Sequence, residues 1–214
     1  MQPFMKSYHF HYIKAQTKVL LNGLSSSSDP NVQRARKEIA IENVSRLFPE
    51  MSEEQRRLLH AIADVREQMD AKQYLAELEP YVIPFPAITG QMLKKLFPKA
   101  KKLKPPAAGD LNLHEASYVS WHDDGTQKKY IVVDFQGNLV GFAGTFTSMN
   151  QKGMCALCNR FEEIGMFIAE IKSAGDGTYV KRGNYICQDS HACNRNITST
   201  DKLDEFVLMM RQGV

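Results

Sequence analysis

All four cysteines of this 214-residue chain fall in its last third, at positions 155, 158, 187 and 193, and the first 154 residues contain none. The spacing is C-x2-C, then 28 intervening residues, then C-x5-C. In a reducing compartment, thiols so grouped hold metal more often than they form structural disulfides. Four thiolates at about 2.3 Å suit tetrahedral zinc. The first pair, Cys155-Ala156-Leu157-Cys158, follows Gly153 in the manner of a zinc knuckle. A redox C-x-x-C would need a βαβ pattern around it and would leave Cys187 and Cys193 unused. The gap between Cys187 and Cys193 is wider than usual, and His191 lies inside it as the alternative to Cys193 for the fourth position. A closed four-sulfur site leaves no open coordination position, so the expectation is one structural zinc that folds a small unit at about 153–195, not a catalytic centre.

The first eighty residues read as a four-helix bundle, residues 1–80. Tyr8, Tyr12, Ala15 and Val19 recur at helical spacing and predict one apolar face. Asp29-Pro30 is a helix start, with Asp as N-cap and Pro at the first helical position. Val32, Ala35 and Ile39, then Ala40, Val44 and Leu47, carry that helix to Phe48-Pro49. Ser52 with Gln55 forms a capping box for a third helix whose face is Leu58, Ile62, Val65 and Met69. A fourth runs from Ala71 to Leu78 and stops at Pro80. His9 and His11 have no acidic or cysteine partner nearby in sequence and read as surface residues.

Residues 81–214 read as an α/β domain. Thr89 caps a short helix through Met92, Leu93, Leu96 and Phe97. Six lysines, at 94, 95, 99, 101, 102 and 104, follow one another without an acid between. They predict a solvated basic face, or an electrostatic contact to RNA or an acidic protein surface. From residue 113 the period changes to two. Strands are expected at Tyr118–Trp121, Tyr130–Phe135, Leu139–Phe146, Phe167–Ile171 and Tyr179–Ile186, with turns at Gln136-Gly137-Asn138 and Ser173–Gly177. Asp189 to Asn196 reads as a short helix presenting Cys193, and Asp201 starts a final helix through Leu203, Phe206, Val207 and Met210. Knuckle, hairpin and ligand-bearing helix in that order describe a treble clef. The fold class is therefore α+β, a helical bundle followed by a mixed α/β domain with a treble-clef-like four-cysteine zinc finger.

The chain has no Walker loop, G-x-G-x-x-G, G-x-S-x-G or H-x-x-x-H pattern, so an enzyme is not expected. No run approaches the roughly 18 apolar residues of a membrane span. The first residues show no basic stretch followed by an apolar one, and the expected compartment is the cytoplasm. With 27 Lys+Arg against 24 Asp+Glu, the net charge of +3 does not describe a dedicated nucleic-acid binder.

Cys155-x2-Cys158, the run Gly177-Thr178-Tyr179-Val180-Lys181-Arg182-Gly183-Asn184-Tyr185-Ile186-Cys187-Gln188-Asp189-Ser190, and Cys193-Asn194 resemble the FusB-type fusidic-acid resistance proteins, also called elongation-factor-G-binding proteins. The likeness extends through Tyr81-Val82-Ile83-Pro84-Phe85, the lysine-rich helix and Lys129-Tyr130-Ile131. It implies a helical N-terminal domain and a C-terminal zinc-bearing treble clef with ligands Cys155, Cys158, Cys187 and Cys193. It also implies a monomer that binds elongation factor G and frees it from ribosomes on which fusidic acid has trapped it, giving resistance by target protection. The partner-binding residues implied are Met154, Arg182, Tyr185 and Phe206. An aromatic is usual in the family where Met154 stands, and a lysine where Arg182 stands. The alternative function is a zinc-stapled RNA-binding module acting directly on the ribosome, with Lys94 to Lys104 as its contact.

Overall fold

Two N-terminal start signals are realised to the residue. In the computed structural model, which describes residues 1–100, 103, 106, 107, 111–172 and 179–211, the Asp29 carboxylate accepts the amide of Asn31 at 2.8 Å, with Pro30 opening the helix. Ser52 and Gln55 exchange capping hydrogen bonds at 2.8 and 3.2 Å. The described residues fall into two units, Met1–Ile83 and Pro84–Val214.

In the first unit, α1 (Ser7–Ser25), α2 (Pro30–Ser45), α3 (Glu53–His60) and α4 (Gln68–Leu78) pack around Met5, Ile13, Val44, Leu59, Ile62 and Leu78. The unit runs on to Ile83 because β1 (Met5–Lys6) pairs in parallel with β2 (Val82–Ile83). The helix faces differ from those expected. Val19 is 61% exposed, and α1 buries Ile13, Thr17, Leu20 and Leu21 instead. In α2, Val32, Ala35 and Ile39 face solvent while Ala40 and Val44 face the core. The tyrosine-led stripe offered more apolar atoms, but Ile13, Leu20 and Leu21 carry no hydroxyl that must stay solvated. The third helix ends at His60. A 3-10 turn, Ala61–Asp64, follows, and Asp70 then accepts the amides of Arg66 and Glu67 at 2.9 and 3.2 Å, starting α4 afresh and leaving Met69 exposed. His11 is not a surface residue, and His9 is only partly one. His11 is buried, and His9 is partly buried, its ring 4.2 Å from that of Tyr8 and 4.8 Å from that of Phe48.

The second unit is an antiparallel meander of β3 (Tyr118–Asp123), β4 (Lys128–Phe135), β5 (Asn138–Met154), β6 (Phe161–Lys172) and β7 (Tyr179–Cys187), in that spatial order. Gln136 and Gly137, at φ 52° and 78°, make the two-residue loop that joins β4 to β5. β5 is 17 residues long, well past the expected Phe146. Its register shifts between Ser148 and Gln151, where Asn150 takes φ 50°. That bulge carries the strand through a polar stretch that breaks the apolar alternation. The turn expected at Ser173–Gly177 lies outside the described residues.

One face of the sheet is covered by α5 (Gly90–Leu96) and its flanks. Phe97 meets Tyr130 edge-on at 4.9 Å, and Trp121 stacks on Tyr130 at 5.4 Å. The opposite face is covered by α7 (Asp201–Arg211), whose Phe206 meets Phe142 at 5.7 Å and Phe167 at 6.4 Å. The remaining helix, α6 (Ser190–Asn196), follows β7 directly. Among the described residues no helix is long and apolar enough to cross a membrane.

Candidate metal centre

Three segments bring sulfur to one point. β5 ends at Met154, and the chain turns back at once: the Cys155 amide donates to the Arg160 carbonyl at 3.0 Å, and the Asn159 amide to the Cys155 carbonyl at 2.9 Å. Asn159 sits at φ 53°, the left-handed conformation that Asn tolerates better than most residues. This six-residue return presents Cys155 and Cys158. β7 delivers Cys187 as its last residue. Asp189 then caps α6, accepting the amides of His191 at 2.8 Å and Ala192 at 3.2 Å, and so sets Cys193 in the first turns of the helix.

The four Sγ atoms lie within 4.8 Å of one another and all four residues are buried. Cys155 is 3.8 Å from Cys193, and Cys158 is 3.7 Å from Cys187. Bonds of about 2.3 Å from a central zinc place tetrahedral sulfurs about 3.8 Å apart. The cluster therefore has the dimensions of the tetrahedron it would have to form. Cys155 Sγ also accepts the amides of Leu157 at 3.4 Å and Cys187 at 3.3 Å, dipoles that favour a thiolate. The thiols cannot all ionise together unaided. Hydrogen bonds from its three neighbours pull the Cys155 thiol far down, while contacts with Cys155, Cys158 and Cys187, backed by burial, push Cys193 far up. A divalent cation at the centre removes that conflict. His191 is exposed and stands outside the sulfur group, so Cys193 is the fourth member of the cluster.

Three residues that the sequence did not single out surround the cluster. Asn194 is buried and fully engaged. Its side-chain oxygen accepts the amides of Ser117 at 2.7 Å and Tyr118 at 3.2 Å, and its amide group donates to the carbonyls of Tyr118 and Ser190, each at 3.0 Å. One side chain thus fastens the helix that carries Cys193 to the sheet. Tyr118 is fully buried, its phenol pushed up first by burial and then by the charge of Cys193. Lys129 is buried with its ammonium 4.4 Å from the centroid of the Phe146 ring. Burial lowers its pKa, opposed by the negative sulfurs and Asp189. A four-thiolate zinc would carry two net negative charges, and Lys129 would offset part of them. The Cys193-Asn194 dipeptide was on view in the sequence, but only the sheet contact reveals what Asn194 does.

The partner-binding residues implied by resemblance do not form one patch. Met154 is 57% exposed and Tyr185 39% exposed, and the Ala156 amide donates to the Tyr185 carbonyl, which sets Tyr185 beside the knuckle. Arg182 and Tyr185 lie three positions apart on one strand and so project from opposite faces. Arg182 pairs with Ala169 and Met154 with Phe161, eight residues along β6, or about 26 Å at the usual strand rise. Phe206 is a correction. At 2% exposure it belongs to the core between α7 and the sheet, because its ring fills the space between Phe142 and Phe167.

Of the lysines, Lys94 and Lys95 are exposed at the end of α5, and Lys99 sets its ammonium 4.4 Å from the centroid of the Tyr179 ring. Lys101, Lys102 and Lys104 lie outside the described residues.

Comparison with known proteins follows the same division. A family model described as elongation factor G-binding protein, N-terminal, matches residues 4–86. One described as FBP C-terminal treble-clef zinc-finger matches residues 96–210, more than half of the chain. Among solved structures, the chain is similar to the fusidic acid resistance protein FusC, with 27% identity over 98% of each chain and a TM-score of 0.82. A search of curated proteins found no match.

Proposed function

The chain belongs to the elongation factor G-binding proteins that end in an FBP treble-clef zinc finger, and from that membership we propose that it binds translation elongation factor G and promotes its release from ribosomes stalled by fusidic acid. The observation that carries this reading is that both units match the family, in order and nearly end to end, and that the likeness to FusC spans 98% of either chain. The same reading includes one structural zinc on Cys155, Cys158, Cys187 and Cys193, supported by sulfur separations of 3.7 and 3.8 Å. Zinc there supplies a rigid clamp and no reaction.

Such a protein works by differential affinity. A partner shifts a locked complex only by binding the released or releasing form of the factor better than the locked one. The residues proposed to touch the factor are Met154 and Tyr185 at the knuckle end, on opposite faces of the sheet by their register, with Arg182 further along β7 on the Met154 face. A surface held by a metal clamp and a five-stranded sheet loses little freedom on binding, which leaves more of the interaction energy for affinity. No covalent change to drug or factor is part of the proposal.

The test is a titration of purified protein into elongation factor G, paired with sedimentation of ribosomes loaded with factor, GDP and fusidic acid. Saturable binding together with transfer of the factor to the supernatant is expected. No binding, or binding without release, overturns the respective half of the reading. The exposed Lys94 and Lys95 favour a second reading, direct contact with ribosomal RNA. That contact would weaken steeply between low and moderate salt and would persist without the factor.

A further inference from the structure

We propose that Phe161, with Arg160 beside it, is the principal anchor by which this chain grips elongation factor G; the inference rests on the function proposed above and names the contact residues within it. Phe161 is the first residue of β6 and pairs directly with Met154, the last of β5. Directly opposed residues share a face, with Cβ atoms about 5 Å apart. Phe161 is 65% exposed and Met154 57%. Two large apolar side chains therefore stand together in water where the hairpin closes on the knuckle. Single exposed apolar residues are ordinary, but an adjoining pair on a rigid tip marks a contact surface.

The tip is rigid for reasons already given. The Cys155–Arg160 hydrogen bond closes the hairpin at 3.0 Å, immediately behind the Met154–Phe161 pair, and the same turn supplies two of the four buried sulfurs, those of Cys155 and Cys158. An aromatic side chain on such a base loses only its own rotamer freedom on binding.

Charge identifies the occupant's chemistry. Arg160 is exposed, and its guanidinium makes no hydrogen bond or ion pair among the described residues. Lys152 shares the Met154 face of β5, two residues back, and its ammonium has no ion-pair partner among the described residues. Glu163 stands opposite Lys152. A cavity of about 270 Å³ beside Arg160 is lined by Leu157, Cys158, Arg160 and Lys202, with one acid, Asp201, among the other lining residues. Aromatic and arginine residues are the types enriched at interface hot spots. The occupant is therefore a protein surface with an apolar hollow for Phe161 and Met154 and a carboxylate for Arg160.

The experiment compares the zinc-loaded wild type with Phe161→Ala, Met154→Ala and Arg160→Ala in titrations against elongation factor G. Each side chain is exposed, so zinc content and circular dichroism are expected to match the wild type and are measured on every variant. Phe161→Ala is expected to weaken binding about tenfold or more, and more than Met154→Ala does. Arg160→Ala is expected to slow association and flatten its dependence on salt. Phe161→Tyr keeps the ring and is expected to retain most of the affinity. If the wild type binds the factor and Phe161→Ala binds within about twofold of it, this inference is wrong while the proposed function stands. If the wild type does not bind, the function itself has failed. Equal loss in Phe161→Ala and Phe161→Tyr would also overturn the anchor role, since the ring would then not be what matters.

Discussion

The two units solve the same problem by different means. The helical unit buries its own apolar stripe: Met5, Ile13, Val44, Leu59, Ile62 and Leu78 are all shielded, and the chain ends are pinned by the β1–β2 pair. The metal-bearing end of the sheet does the reverse. It leaves Met154, Phe161 and Tyr185 in water and gathers its four cysteines inside. A region whose large side chains face water has few left for a local core, and small units of that kind need a staple. Coordination by the four cysteines would do there what burial does in the helices.

Removing the staple should break the comparison most visibly. Structural zinc sites contribute an apparent ~10–16 kcal/mol in small domains. Chelation, or Cys187→Ser, is therefore expected to abolish ordered structure around Cys155–Cys158 and α6 while α1 to α4 keep their protection. Hydrogen exchange read separately over each unit measures this. Collapse of the helical unit on the same treatment would show that the two do not stabilise themselves independently.

The reciprocal change is smaller and falls on the other unit. Ile13→Ala empties a fully buried site in the helical core, at a cost of about 2–5 kcal/mol. Zinc content should not change. A fall in bound zinc in that variant would mean the metal site leans on the helices. Asn194→Ala ranks third. It strands the amides of Ser117 and Tyr118 and frees α6 from β3, a loss of about 2 kcal/mol. Because Cys193 is on that helix, zinc should also leave faster in a chelator competition. Unchanged release kinetics would reduce Asn194 to an ordinary core polar residue.

The same contrast explains what could be read from the sequence. Caps were legible because each is a local event: Asp29 needs only Asn31, and Ser52 only Gln55. The clustering of the cysteines was legible because metal chemistry restricts residue type and spacing. Which helix face turns inward was not. Tyr8, Tyr12, Ala15 and Val19 have the right period, yet the packing of neighbouring helices chose the stripe of Ile13 and Leu20. The register of a long strand was hidden for a similar reason. The bulge between Ser148 and Gln151 resets the alternation, so neither the Met154–Phe161 pair nor the separation of Arg182 from Met154 follows from spacing. Phe206 has the same look in sequence as an interface aromatic, and only the rings of Phe142 and Phe167 show that it is core.

The smallest effect is an acid sensitivity confined to the helical unit. Burial, with Lys6 adding to it, lowers the His9 pKa from 6.5 to about 4. Its Nδ1 accepts the Lys6 amide at 3.3 Å, a bond that a protonated ring cannot accept. Between those two values the unfolded chain binds the proton and the folded chain does not. Stability contributed by neutral His9 is thus intact above pH 6.5, falls as the pH drops through that window, and levels off below about 4. The ring is partly exposed, which holds the effect to about 1–2 kcal/mol. His9→Gln keeps an acceptor for the Lys6 amide and removes the titration. Denaturation midpoints of the helical unit at pH 7 and pH 4.5 should therefore converge in the variant relative to the wild type, while the acid lability of the sulfur cluster, which depends on thiolates, should be the same in both. Equal pH dependence of the helical transition in the two proteins would remove His9 as its source.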